Sequence, residues 1–258
     1  MTGAVSEAPH GAAASPAVPL TVVLVHGYLG GSAQWSELAE ALPDRFRVVT
    51  VDLPGFGLAS GEATPTSIAG FAEAVIADLD AQGVTRFALV GHSMGGMIVQ
   101  EVARAIPERI ERLVLYGTGA LGAMPDRFEP LQVSLDRLRQ EGLAATARRI
   151  AATWLAHGEA HPSHAQLSAI GLSATQSAAE IALGAMAAWD GRAQLPTLTM
   201  PSLIIWGEED RSYRWAQVEY LWSHLPGTSL AVIPGASHAA HVEKPEIFRL
   251  ILEDFLSR

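Results

Sequence analysis

A chain of 258 residues with 49% hydrophobic and 17% charged side chains is long enough to bury a full core and too apolar for disorder over most of its length. Its formal charge of −10, with no basic run, argues against nucleic acid or an anionic membrane as a partner. The absence of cysteine excludes disulfides, thiolate metal sites and a cysteine nucleophile, and it fits a cytoplasmic protein.

Residues 1–20 contain no Lys or Arg, so the positive start of a signal peptide is missing, and they read as a poorly ordered Ala/Pro-rich lead. A short β-branched run at 21–25 ends in His26-Gly27 and predicts a buried strand. A helical pattern at 34–42 separates it from a second strand at 47–52, which stops at the Pro54-Gly55 turn signal. Residues 67–82 carry apolar side chains at Ile68, Phe71, Ala72, Val75, Ile76 and Leu79, the spacing of one helix face. Strands at 86–90 and 113–116 flank a helix at 94–105. Residues 118–195 hold no convincing strand; helices are expected at 127–140, 143–156, 164–172 and 178–189. Strand 202–206, helix 217–225, strand 230–233 and helix 246–256 complete the chain. Strands alternating with helices imply an α/β fold with a mostly parallel central sheet and helices on both faces. Residues 21–117 and 196–258 form the expected core, and 118–195 a helical lid over the carboxyl ends of the strands, where sites in such sheets form.

The chemistry concentrates at those strand ends. Gly91-His92-Ser93-Met94-Gly95-Gly96 lies between a strand and a helix, the context in which G-x-S-x-G pushes a serine hydroxyl out of a sharp turn. A serine hydroxyl needs a base. His238, in the loop after the last strand, is the best placed by sequence. The base needs a carboxylate to hold its tautomer, and Asp210 lies four residues past the fifth strand. The chain order Ser, Asp, His is the one this fold uses.

Together with His26-Gly27, Asp52-Leu53-Pro54-Gly55-Phe56-Gly57, Gly207-Glu208-Glu209-Asp210 and Pro234-Gly235-Ala236-Ser237-His238 followed by Glu243-Lys244-Pro245, these segments resemble the α/β-hydrolase superfamily, of the small lidded serine esterase, lactonase and C–C hydrolase type. The resemblance implies an oxyanion hole from the backbone N–H groups of Tyr28 and Met94. Two departures stand out. Residues 1–20 do not read as the β-hairpin that usually opens such chains, and Ala239 follows His238 where the C–C hydrolases carry an aromatic.

Other residues compete for these roles. His26 and His92 read as loop braces, Asp52 as the anchor of the turn after the second strand. His241 is the rival base, and Glu208 and Glu209 are rival acids. His157, His161 and His164 have helix-face spacing, but Pro162 interrupts them, so no metal is expected. Gly30-Gly31 lacks a nucleotide-binding spacing, so no cofactor is expected. The lid arginines 127, 137, 139, 148, 149 and 192 read as a solvated face, with one of them a candidate partner for a substrate carboxylate. Met97, Ile98, Trp206, Trp215 and Trp222 read as packing residues. Met124, Leu131, Trp154, Met186 and Trp189 are candidates for the wall of an apolar pocket.

The function expected is a serine hydrolase that cleaves a small or medium apolar carboxylic ester or lactone through an acyl-enzyme on Ser93, with a small molecule as its partner. The alternatives are a C–C or amide-type hydrolase of aromatic ring-cleavage products, and a ligand receptor built on the hydrolase fold with slow turnover.

Overall fold

The computed structural model describes residues 19–123 and 129–258; the lead through residue 18, Met124, Arg127 and the expected start of the first lid helix lie outside the described residues. Strands β1 (Leu20–Val25), β2 (Phe46–Val51), β3 (Phe87–His92), β4 (Ile110–Tyr116), β5 (Ser202–Gly207) and β6 (Ser229–Ile233) form one sheet in the order β2-β1-β3-β4-β5-β6. Every pairing is parallel. Strands with both faces covered must be apolar at consecutive positions, and all six residues of β3 are buried. The two-residue period then divides them. Val23, Val25 and Leu89 pack on one side with α2 (Ile68–Ala81), α3 (Met94–Ala105) and α7 (Trp215–His224). Val22, Leu24, Ala88 and Val90 pack on the other with α1 (Ser36–Ala41) and α9 (Pro245–Leu256).

The chain crosses from β2 at one edge over β1 to β3, so the strand order reverses between β1 and β3. The loops that leave the carboxyl ends of these two strands part there and open a crevice. One loop begins with His26-Gly27 and the other with Ser93.

Between β4 and β5 the chain inserts α4 (Leu131–Thr153), α5 (His164–Gly171) and α6 (Gln176–Ala188). The insertion leaves and rejoins the core through paired segments: Gly122 N–H donates to Trp189 O at 3.0 Å, and Gly191 N–H to Ala120 O at 2.9 Å. Two helices expected from the sequence run together as α4, broken at Gly142, whose φ of 80° and ψ of 172° belong to neither. A four-residue helix, α8 (Ala240–Glu243), follows His238 and was not anticipated. Trp215 and Trp222 are 42% and 48% exposed rather than packed. The stripe of α7 that meets the core is Val218, Leu221 and, just past the helix, Leu225, which leaves the two indoles beside it. Among the described residues no helix is long and apolar enough to cross a membrane.

Gly142 separates strain from crowding, because a Cβ there would meet nothing within 4 Å while its dihedrals are ones only glycine adopts readily. Gly142→Ala is therefore expected to destabilise the protein by about 1–3 kcal/mol with no steric clash. The urea midpoint measures it, and an unchanged midpoint would show that the backbone relaxes into one continuous helix.

Candidate active site

Ser93 has φ 57° and ψ −120°, and with Leu29 (φ 54°) it is one of two non-glycine residues at positive φ among those described. Such conformations cost of order 1–3 kcal/mol and persist only where the surroundings over-determine them. Here they do. Ser93 N–H donates to Tyr116 O at 2.9 Å, and Ser93 O accepts from Gly96 N–H at 2.9 Å and from the Thr118 hydroxyl at 2.8 Å. The turn closes because its neighbours lack side chains. A Cβ on Gly95 would lie 2.5 Å from the carbonyl oxygens of Val25 and His26, and one on Gly27 would lie 2.7 Å from Ser93 Cβ and 3.3 Å from its Oγ. Gly27 thus backs directly onto Ser93. The two candidate oxyanion donors flank the serine: Met94 follows it as the first residue of α3, and Tyr28 follows Gly27.

His238 and Asp210 meet from the loops after β6 and β5. Asp210 Oδ2 accepts from His238 Nδ1 at 2.8 Å, and both side chains are buried. Asp210 Oδ1 accepts the backbone N–H groups of Ser212 (2.7 Å) and Tyr213 (3.1 Å), so the loop itself aims the carboxylate. With the Nδ1 proton given to Asp210, Nε2 is left as a bare acceptor, and it is buried with no hydrogen-bond partner among the described residues. The imidazole stands against Gly117, where a Cβ would fall 3.1 Å from Nδ1. Gly117 lies between Tyr116 and Thr118, two of the three residues that hold the peptide groups of Ser93. Histidine and aspartate are therefore brought together, and the imidazole stands beside the segment that holds the Ser93 turn.

The rivals are placed elsewhere. Glu208 and Glu209 are exposed, and Glu208 accepts from Gly235 N–H at 3.1 Å. Asp52 clasps Ser32, accepting its N–H at 2.8 Å and its hydroxyl at 2.7 Å. His26 donates from Nδ1 to Gly27 O (2.8 Å) and accepts Leu53 N–H on Nε2 (3.0 Å), tying the loop after β1 to the loop after β2. His92 donates from Nε2 to His238 O (3.0 Å) and accepts from Gln34 Nε2 on Nδ1 (3.2 Å). Tyr116 donates to the same His238 carbonyl at 2.9 Å, and its oxygen accepts from the His241 backbone N–H and from Nδ1. Burial holds His26 down to about 4 and His241 to about 3, and it pushes His92 well below the usual histidine range. Burial also raises Tyr116 well above its usual range, which keeps the hydroxyl protonated as a donor.

No sequence signal marks several of these partners: Gln34 behind His92, the N–H pair that orients Asp210, and the Tyr116 hydroxyl behind the histidine loop. Tyr213 stacks on His238 with centroids 5.7 Å apart, and Trp154 from α4's end lies 5.8 Å from it. The other apolar candidates Met186 and Trp189 are buried in the same cluster as Met94, Met97, Ile98 and Tyr28, and Leu131 packs partly buried against it. All five described arginines of the insertion are held by acids: Arg137 and Arg149 by Glu129, Arg139 by Glu180, Arg148 by Glu159 and Arg192 by Asp190. Of the three clustered histidines, His164 is buried and its Nε2 donates to Arg148 O at 3.0 Å.

A family model described as the alpha/beta hydrolase fold matches residues 21–245. The chain belongs to the α/β-hydrolase fold family. Similar members of this family include a pimeloyl-[acyl-carrier protein] methyl ester esterase of Aeromonas hydrophila, 30% identical over 91% of this chain and 94% of the relative. Another is 3-oxoadipate enol-lactonase 2 of Acinetobacter baylyi, 28% identical over 88% of this chain and 84% of the relative. Among solved α/β-hydrolase structures, a thermophilic esterase from Thermogutta terrifontis superposes with a TM-score of 0.81 at 28% identity, covering 93% of this chain and 90% of that one.

The three buried neutral histidines make the stability of this α/β-hydrolase chain pH-dependent. In the unfolded chain each returns to the ordinary value of 6.5 and takes up a proton below it; in the folded chain it does not. The unfolded state therefore binds more protons under acid conditions. The stability these residues contribute is whole above pH 6.5 and is lost as pH falls toward about 4 for His26 and about 3 for His241. At about 1.4 kcal/mol per pH unit, His26 alone accounts for on the order of 3 kcal/mol. Urea denaturation between pH 7 and 4 is expected to show the fall, with a shallower slope in His241→Asn. Parallel pH profiles in the two proteins would mean that His241 is protonated in the fold.

Proposed function

We propose that the protein is a serine hydrolase that cleaves a small or medium, apolar carboxylic ester or lactone through an acyl-enzyme on Ser93. The observation that carries this reading is the placement of His238: its Nδ1 is bound to Asp210, and its Nε2 is buried with no partner among the described residues, beside the residues that hold Ser93. A neutral imidazole so arranged is the base that a serine hydroxyl needs.

In the proposed reaction Ser93 Oγ attacks the carbonyl carbon as its proton passes to His238 Nε2. Asp210 stabilises the imidazolium. The oxyanion is received by the N–H groups of Tyr28 and Met94, the second aided by the positive end of α3. Collapse expels the alcohol, which takes its proton from His238. A water, deprotonated by His238, then attacks the acyl carbonyl; the bond from the acyl carbon to Ser93 Oγ breaks, Oγ takes the proton back from His238, and the acid leaves.

The names of the two curated relatives, a methyl ester esterase and an enol-lactonase, support an ester or lactone bond. An uncharged acyl group is supported by the insertion, whose five described arginines are already engaged by acids. Residues 118–195 then serve as a lid, with Trp154 over His238 and Met186 and Trp189 in the apolar layer continuous with α3. No cofactor has a part in this scheme.

A fluorophosphonate is expected to label Ser93. Ser93→Ala should lose about 10⁴-fold or more in kcat while remaining folded. His238→Ala should abolish turnover, and His241→Ala should retain most of it at neutral pH. An adduct mapped by mass spectrometry to another residue, or the reverse ranking of the two histidine variants, overturns the assignment.

The apolar lid layer gives a separate expectation. Each further acyl CH₂ that it buries should contribute up to ~0.8 kcal/mol, or about fourfold in kcat/KM, until the pocket is full. Along p-nitrophenyl esters kcat/KM should rise from acetate to about butyrate or hexanoate and then level. A steady decline from acetate onward would mean that the lid does not wall an apolar acyl pocket.

A further inference from the structure

We propose that Glu243 is a positioning residue, which fixes the base His238 by locking its loop to the inner end of the lid helix α4. The proposal rests on the serine-hydrolase reading above. Glu243 closes α8, and its side chain folds back toward the histidine. One carboxylate oxygen accepts Ser237 N–H at 2.6 Å, on the residue just before His238. The other accepts Ala156 N–H at 2.6 Å, just past the end of α4. Both are short bonds of a charged acceptor to a backbone donor, the strong kind. Glu243 has no cationic partner among the described residues, so its charge is committed to these two amides.

Three successive residues around the base are thereby held from three directions. Ser237 N–H is held by Glu243, His238 O by His92 and Tyr116, and Ala239 N–H by Trp154 O at 2.8 Å. Two of these ties end in residues 154–156. The same short segment is also bound from the acid's side: Arg211, next to Asp210, donates to Leu155 O (3.2 Å) and Ala156 O (3.1 Å). Among the described residues, 154–156 are the one place where the lid, the base loop and the acid loop are hydrogen-bonded together, and the Trp154 ring lies 5.8 Å from the imidazole there. Without Glu243 the Ser237 and Ala156 amides lose their acceptor. The backbone that aims Nε2 then keeps its ties at His238 O and Ala239 and the 3.2 Å bond from the Ser237 hydroxyl to Glu209 O, but loses the one that joins it to Ala156.

Displacement of a reacting group by about 1 Å costs on the order of 100-fold in rate while substrate binding is spared. The test is Glu243→Gln, which keeps one acceptor oxygen and turns an NH₂ toward the other amide. The measurements are kcat and KM on p-nitrophenyl butyrate, the rate of fluorophosphonate labelling of Ser93, hydrogen exchange at residues 156 and 237, and the urea midpoint. The expected result is a kcat lower by 10- to 100-fold with KM within about twofold, labelling slowed to match, and faster exchange at both amides in a folded protein. A kcat within twofold of the parent overturns the proposal. So does a loss that equals the unfolded fraction, which is a merely structural effect. If Glu243→Gln does not fold, Glu243→Asp replaces it; it keeps the charge but reaches only one of the two amides, and the same split between kcat and KM is required of it. A parent protein that is not labelled at Ser93 refutes the serine-hydrolase reading itself, whereas a labelled parent with an unaffected variant refutes only the role of Glu243.

Discussion

The backbone of Ser93 is held where an L-residue resists being held, and much of the molecule is arranged around that constraint. The peptide on either side of the serine is bound by Tyr116, Gly96 and Thr118, so the end of β4 fixes the turn as firmly as α3 does. The opposite wall is the loop after β1, which approaches so closely at Gly27 and Gly95 that neither position has room for a Cβ. Three strand ends thus converge on one residue. The reversal of strand order between β1 and β3 is what gives that residue a crevice to face.

A second layer of order comes from histidines that do not titrate near neutrality. His26, His92 and His241 are buried, kept neutral, and used as hydrogen-bonding struts, the first two through both ring nitrogens and His241 through Nδ1. His26 spans two loops. His92 and His241, with Tyr116 and Gln34, form a polar network behind the carbonyl of His238. Their dry surroundings exclude the proton that would break this pattern. In the proposed mechanism His238 takes the serine's proton, while His92 directly and His241 through Tyr116 hold its main chain still.

The insertion is joined to this arrangement rather than laid over it. It is zipped to the core at residues 120–122 and 189–191. Its Trp189 and Gln194 donate to Glu101 of α3, and its 154–156 turn meets the loops of His238 and Asp210. An insertion tied at so many points is not free to swing as one body. The break at Gly142 divides α4 into a half bound to the proposed catalytic loops and a half held to the rest of the insertion by Arg137–Glu129 and Arg139–Glu180. In the proposed enzyme the half after Gly142, which leads to residues 154–156, belongs functionally to the active site.

Much of this was legible in the sequence, and the reason is local. A strand buried on both faces must be a continuous apolar run, so six strands could be read to within a few residues. The helix after Ser93 begins and ends at Met94 and Ala105 as its periodicity predicts. The nucleophile turn announces itself because its glycines are required within five residues of each other. The candidate acid and base follow from their places after two recognisable strands. What could not be read were relations between segments far apart in the chain. Nothing in the composition around Gln34, Tyr116, Arg211 or Glu243 indicates that each would bond to a peptide group or ring dozens of residues away. Nothing around Trp215 or Trp222 indicates that α7 would turn them outward. Local spacing dictates which elements form and which side chains carry chemistry. The packing of those elements alone decides which buried polar groups meet, because each must find its partner wherever the fold brings one within 3 Å.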